Sequence, residues 1–141
     1  MRISPLLLVS TTIIAIFNIV SAADSIPVKP GMWEMTTTMT SPMFPQPRVS
    51  TTTECMDKSE FSITDLMPED ESECTITESN VSGNTLTWKM QCQMQGGSGG
   101  GGGTFNSNGD SGSGEMYMNM EFQGQTFNMQ NSWQGKHIGP C

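Results

Sequence analysis

Segments in which apolar and polar side chains alternate follow one another from Gly31 to Trp133, and a chain written this way folds as sheet. Successive strand residues point to opposite faces, so a period of two gives each strand one apolar and one polar side. Gly31 to Thr40 (GMWEMTTTMT) sets Trp33, Met35, Thr37 and Met39 on one face, with Glu34, Thr36 and Thr38 on the other. Its β-branched threonines suit the pleat. Ser41 to Pro47 holds three prolines and ends this strand; Arg48 to Cys55 (RVSTTTEC) reads as a second, antiparallel to the first. Glu73–Asn80 and Asn84–Met94 alternate on either side of Val81-Ser82-Gly83. Paired around Gly83, they set Cys74 opposite Cys92, Ile76 opposite Met90 and Glu78 opposite Trp88. Glu115 to Phe122 (EMYMNMEF) collects Met116, Met118, Met120 and Phe122 on one face. After a turn at Gln123–Gln125, Thr126 to Trp133 returns with Phe127, Met129 and Trp133 on one face, a second hairpin.

The four cysteines, Cys55, Cys74, Cys92 and Cys141, stand downstream of a stretch that has the layout of an export signal. Met1-Arg2 is a short basic start, Ile3 to Val20 is almost wholly apolar, and Ser21-Ala22-Ala23 offers small residues for cleavage before Asp24. The expectation is a signal peptide over 1–23 and one domain over 24–141, with an uncleaved N-terminal anchor as the alternative. Export brings thiols into an oxidising compartment, where they become crosslinks. Four cysteines allow three connectivities. The hairpin register favours Cys74–Cys92, which leaves Cys55 for Cys141. In the chain-entropy model these bridges contribute roughly 3 and about 4.5 kcal/mol.

Residues 57–67 (DKSEFSITDLM) read as the one helix, with Asp57 as cap, Glu60 completing a box-like pattern, and Phe61, Ile63, Thr64 and Met67 facing inward. Pro68 and the acidic run 69–73 (EDESE) end it. Gly96 to Gly103 is glycine but for one serine and reads as a flexible loop, followed by a short strand over Thr104–Ser107 and a turn-rich stretch over Gly109–Gly114. The fold class is mainly β: six or seven antiparallel strands in a curved sheet or small open barrel, with one short helix.

Three anchors mark the chain: Lys29-Pro30-Gly31-Met32-Trp33-Glu34, the cysteines at 55, 74 and 92, and Gly135-Lys136-His137-Ile138-Gly139-Pro140-Cys141. With the Thr-rich strand, the Gly-rich middle and the Met/Thr-rich hairpin between them, these resemble a family of exported bacterial proteins defined only as a domain of unknown function. The likeness runs from about residue 28 to the last. The long glycine run departs from the family's pattern. The resemblance implies a bacterial envelope or secreted location and brings no activity, ligand or catalytic residue with it.

Charge and chemistry narrow the function classes. A net charge of −8 with scattered basic residues (Lys29, Arg48, Lys58, Lys89, Lys136) disfavours nucleic acid and anionic membrane surfaces as partners. Among thirteen methionines, Met116, Met118 and Met120 share one strand face with Met129 able to lie across the hairpin. Soft thioethers suit Cu(I) or Ag(I), but with Leu66 and Leu86 the only leucines after the leader, methionine is also the main flexible filler. His137 is the only histidine and has no identifiable Ser or Asp partner. The cysteines are too widely spaced for a structural zinc site. Asn106, Asn108 and Asp110 imitate a calcium loop, but Tyr117 stands where its chelating glutamate belongs. The glycine run lacks both the Asp of a calcium repeat and the Lys-Ser/Thr of a phosphate cradle. Asn80-Val81-Ser82 is formally a glycosylation acceptor, of consequence only in a eukaryote.

The expected function is therefore a non-enzymatic, disulfide-stapled binding or structural module of the bacterial periplasm or exterior, with no cofactor. Its candidate partner is a small apolar ligand or an envelope protein, not a membrane once the signal is removed. One alternative is a carrier of a small apolar ligand held between the sheet and the helix at 57–67, lined by Trp33, Trp88, Trp133 and the methionines. The other is a Cu(I)/Ag(I) binder using Met116, Met118, Met120 and Met129.

Overall fold

Antiparallel pairing organises nearly all of the computed structural model, which describes residues 25–66 and 73–141. The strands are β1 (Ser25–Pro27), β2 (Gly31–Thr40), β3 (Arg48–Met56), β4 (Glu60–Ser62), β5 (Cys74–Ser82), β6 (Thr85–Met94), β7 (Gly97–Ser107), β8 (Ser111–Phe122) and β9 (Gln125–Gly139). The expected signal peptide over 1–23, Met67 and residues 69–72 of the acidic run lie outside the described residues.

Seven strands form one sheet in the order β3-β2-β9-β8-β7-β6-β5, curved and not closed into a barrel. β5 to β9 are a meander, each strand pairing with the next. The β2–β3 hairpin joins it through β2 and β9. Two-residue turns set the tight corners. Gln123 and Gly124 both take positive φ, 51° and 77°, the twist that suits a hairpin between right-handed strands. Among the described residues no helix is long and apolar enough to cross a membrane.

The period-two reading of β2, β8 and β9 holds, and β3 pairs antiparallel with β2 as expected, with Met35 opposite Thr52 and Met118 opposite Met129. Three expectations change. In the first hairpin Cys74 faces Cys92 and Ile76 faces Met90, but the register slips at Thr77, so Glu78 faces Lys89 and Trp88 faces Ser79. The extra residue is a β-bulge, and it moves the turn to Gly83-Asn84, with Gly83 at φ 58°. The four cysteines stand in two bridged pairs, Cys74–Cys92 and Cys55–Cys141, the latter reaching across β2.

The glycine run is not a loop. Gly97 to Gly103 is the first part of β7, paired on one side with β6 and on the other with β8. Glycine alternation carries no hydrophobic signal, but its neighbours explain it. A Cβ on Gly103 would come within 2.7 Å of the Trp88 ring, and one on Gly114 within 2.4 Å of Trp133. Each indole lies over the cross-strand glycine it pairs with, Trp88 on Gly103 and Trp133 on Gly114. The large ring covers a strand that has no side chain of its own.

Nor do the described residues of the expected helix, 57–66, form one. Glu60–Ser62 is a short strand paired with β1, Ile26 opposite Phe61, and Ile63–Leu66 is a 3-10 turn. The lead-in strand offers backbone partners, and Ser59, Ser62 and Thr64 compete for local hydrogen bonds that a helix interior does not reward. Asp65, not Asp57, organises the turn: its carboxylate accepts the Ser62 N–H at 2.9 Å and pairs with Lys58. Ile63 is buried and Thr64 exposed.

The β1–β4 ribbon covers one end of the sheet's inner face. There Ile26, Val28 and Ile63 close over Leu86, Trp88, Met90 and Phe105. The opposite face is polar, with Thr36 and Thr51 hydroxyls 3.1 Å apart and Asn106 donating to Thr85 at 2.9 Å.

Two predictions follow from this packing. Gly103→Ala forces a methyl against the Glu115 carbonyl and the Trp88 ring, Gly114→Ala forces one into the Trp133 ring, and each should cost about 1–3 kcal/mol in urea unfolding. Gly100→Ala, where the nearest atom is the end of the Gln91 side chain, should stay within about 0.5 kcal/mol. The second concerns acid. The hydrogen bond from Lys58 and that from the Ser62 backbone hold the Asp65 carboxyl below its ordinary value. A depressed carboxylate pKa stabilises the fold above the unfolded-state value, about 3.9, and the gain is lost as pH falls through the lower folded-state value. The stability difference between the wild type and Asp65→Asn should therefore be full at neutral pH and shrink below pH of about 4. A difference constant across that range would contradict the assignment.

Candidate ligand groove

Where the β1–β4 ribbon stops short of β2 and β3, a groove of about 450 Å³ opens between it and the inner face of the sheet. Strand alternation builds its floor: Trp33 and Met35 from β2, Trp133 from β9, Met116 from β8 and Phe105 from β7 all fall on the inner face. Val28 and Phe61 form the side beneath the ribbon, and Glu54, Asp57 and Lys58 stand at the rim. An aromatic row crosses from ribbon to floor, with Phe61 and Phe105 centroids 4.5 Å apart and Phe105 and Trp133 centroids 6.4 Å apart. Gly112 and Gly135 thin the floor beside the rings. A Cβ on Gly135 would meet the Met35 sulfur at 2.5 Å. Asn131 also lines the groove, and its buried amide oxygen has no protein partner.

Trp33 is fixed from three sides. It is 4% exposed, its indole N–H donates to the Lys29 carbonyl at 2.8 Å, and the His137 ring meets it edge-on at 5.7 Å. His137 in turn has Nε2 3.1 Å from the Pro30 carbonyl, which accepts from the Nε2–H tautomer, and its backbone N–H donates to Asp110. Gly31, at φ 137°, leaves room for that ring, since a Cβ there would lie 2.3 Å from Nε2. Lys29 and Asp110 are 2.6 Å apart, and this hydrogen bond lowers the Asp110 pKa. The two ends of the domain are thus clasped: Lys29 to Trp33 close on Asp110 and on Gly135 to His137.

Of the residues expected to bind a ligand, Trp33 and Trp133 line the groove together and Trp88 does not. Trp88 is 3% exposed and packed in the core under the ribbon. Of the methionines, Met116, Met118 and Met120 share the inner face of β8, with Met129 directly across from Met118. Met116 packs against the core, and all four are half-buried. Asp110 of the calcium-like stretch is occupied by Lys29, and among the described residues no three His, Cys, Asp or Glu side chains converge on a metal position. Sequence reading missed Phe61, Phe105 and Asn131. Phe61 was placed on a helix, Phe105 lay beyond the supposed loop, and an asparagine on an apolar face carries no signal of its own.

The fold and groove define a disulfide-joined antiparallel β domain with a half-covered apolar face. Residues 28–141 match the family described as protein of unknown function (DUF3617), and the chain belongs to that family. No curated protein and no solved structure matches it.

One prediction tests whether the clasp sets the groove. Gly31→Ala displaces His137 and with it the edge contact on Trp33. Its expected effect is a red-shifted tryptophan emission and a loss of stability of about 1–3 kcal/mol. An unchanged spectrum at wild-type stability would contradict this account.

Proposed function

We propose that this domain is a non-enzymatic binding module of an oxidising, exported compartment. It receives a small apolar molecule in the groove between the sheet and the β1–β4 ribbon. The observation that carries this reading is the lining: aromatic rings and a thioether face a volume of about 450 Å³ that the protein's own side chains leave open. Ligand sites are of this size and kind, mostly apolar with a few placed polar groups. Asn131 is such a group, and its unpartnered oxygen favours an apolar ligand with one hydrogen-bond donor. The bridged cysteines favour export, since such bonds persist in oxidising surroundings.

Native mass spectrometry of protein purified from its own host should show an added small mass that Trp133→Arg abolishes and Asn131→Leu weakens about tenfold or less. A bare mass, together with no uptake of apolar fluorescent probes by the wild type, would end the ligand reading. In the same cells all four cysteines should resist alkylation until a reductant is added.

One observation favours a second reading. Met116, Met118 and Met120 lie in a row with Met129 opposite Met118, an arrangement of soft donors suited to Cu(I) or Ag(I). Competition titration with Cu(I) decides it: micromolar or tighter uptake lost in Met118→Leu supports a metal site, and no uptake removes it.

A further inference from the structure

β3 is the free edge of the sheet on the β2 side, and among the described residues no strand lies beside its outward backbone groups. Arg48 to Cys55 are all exposed, and the register with β2 runs unbroken from Gly31–Met56 to Met39–Arg48. Edges of this kind invite another strand unless they are blunted by a bulge, a proline or an inward charge. The opposite edge is blunted. β5 carries the bulge at Thr77 and is tied down at Cys74–Cys92. β3 carries no bulge and no proline, and the two charges on its inner face, Arg48 opposite Met39 and Glu54 opposite Trp33, are of opposite sign. Its ends are held instead, by the Cys55–Cys141 bridge at one and by the Arg48 guanidinium 3.8 Å from the Phe44 ring centre at the other.

We infer that β3 is the surface through which two copies of this chain associate, their β3 strands pairing antiparallel about Thr51. The segment Arg48 to Glu54 (RVSTTTE) is self-complementary in that register. Arg48 faces the partner's Glu54, Val49 the partner's Thr53, Ser50 the partner's Thr52, and Thr51 its own counterpart. Two charge pairs form, and the rows between them are the β-branched and hydroxyl pairs that stabilise sheets. Sliding by two residues in either direction loses both charge pairs, setting Arg48 against the partner's Thr52 or the partner's Met56. Because both copies use the same edge, the contact closes as a two-fold dimer and does not propagate. Directly opposed residues share a face, so the two inner faces join. Glu54 at the groove rim then gains the partner's Arg48 beside it. The inference stands on the edge itself and does not require that the groove bind a ligand.

Sedimentation of the full protein should show a concentration-dependent dimer. Arg48→Glu and Glu54→Arg each oppose like charges twice and should weaken it about tenfold or more. The double swap Arg48→Glu/Glu54→Arg should restore it. A monomer at every concentration overturns the proposal. So does a dimer indifferent to the single reversals, or one that the swap fails to rescue. Amide exchange in the unmodified protein tests the same claim without a variant. The β3 amides should gain protection as concentration rises, and unchanged protection counts against the dimer.

Discussion

The contact on which the rest depends is an indole laid over a glycine of the neighbouring strand. Trp88 covers Gly103 and Trp133 covers Gly114, each closer than any side-chain carbon could stand. A sheet curved toward one face crowds the side chains on that face. Alternating large rings with residues that have no side chain relieves the crowding while keeping apolar area covered. β7 supplies one of these two glycines, Gly103, and a Cβ on Gly97, Gly101 or Gly103 would also come within 2.5 Å of a carbonyl oxygen of β8. The entropic cost of ordering glycine is offset by two neighbouring ladders of hydrogen bonds.

The same principle builds the groove. Gly112, Gly114 and Gly135 lie on the inner face, so the rings of Phe105, Trp133 and Trp33 settle low and leave open volume above them. Leucines at these glycine positions would fill it. At its far side the trough is bounded by the clasp of Pro30, Gly31, Trp33 and His137. The motifs at the beginning and end of the matched region are therefore one structural feature seen twice along the chain.

Strand content was legible because β2, β8 and β9 alternate strongly and β3 is rich in β-branched residues, and the antiparallel sheet follows from them. The cysteine pairs were legible because one hairpin register places Cys74 against Cys92. What the residues did not disclose is equally specific. Glycines have no periodicity, so the Gly97–Gly103 part of β7 read as a loop. The bulge at Thr77 shifts a register by a single residue without altering composition. Phe61 and Ile63 fit both a helix face and an alternating strand, and only the presence of β1 beside them decides. Of the groove, Trp33 and Trp133 could be named in advance. Trp88 could not be told from them, since its burial depends on the ribbon that covers it.

The strand order has a kinetic consequence. Every neighbour pair in the main sheet except β2 with β9 is consecutive along the chain, joined by two or three residues within the meander and by residues 41–47 between β2 and β3. The seam between Met32 and Gly139 is the exception, closing a ring through almost the whole domain. Loop-closure cost is concentrated at that one joint. Without it β9 would be the raw border of the meander.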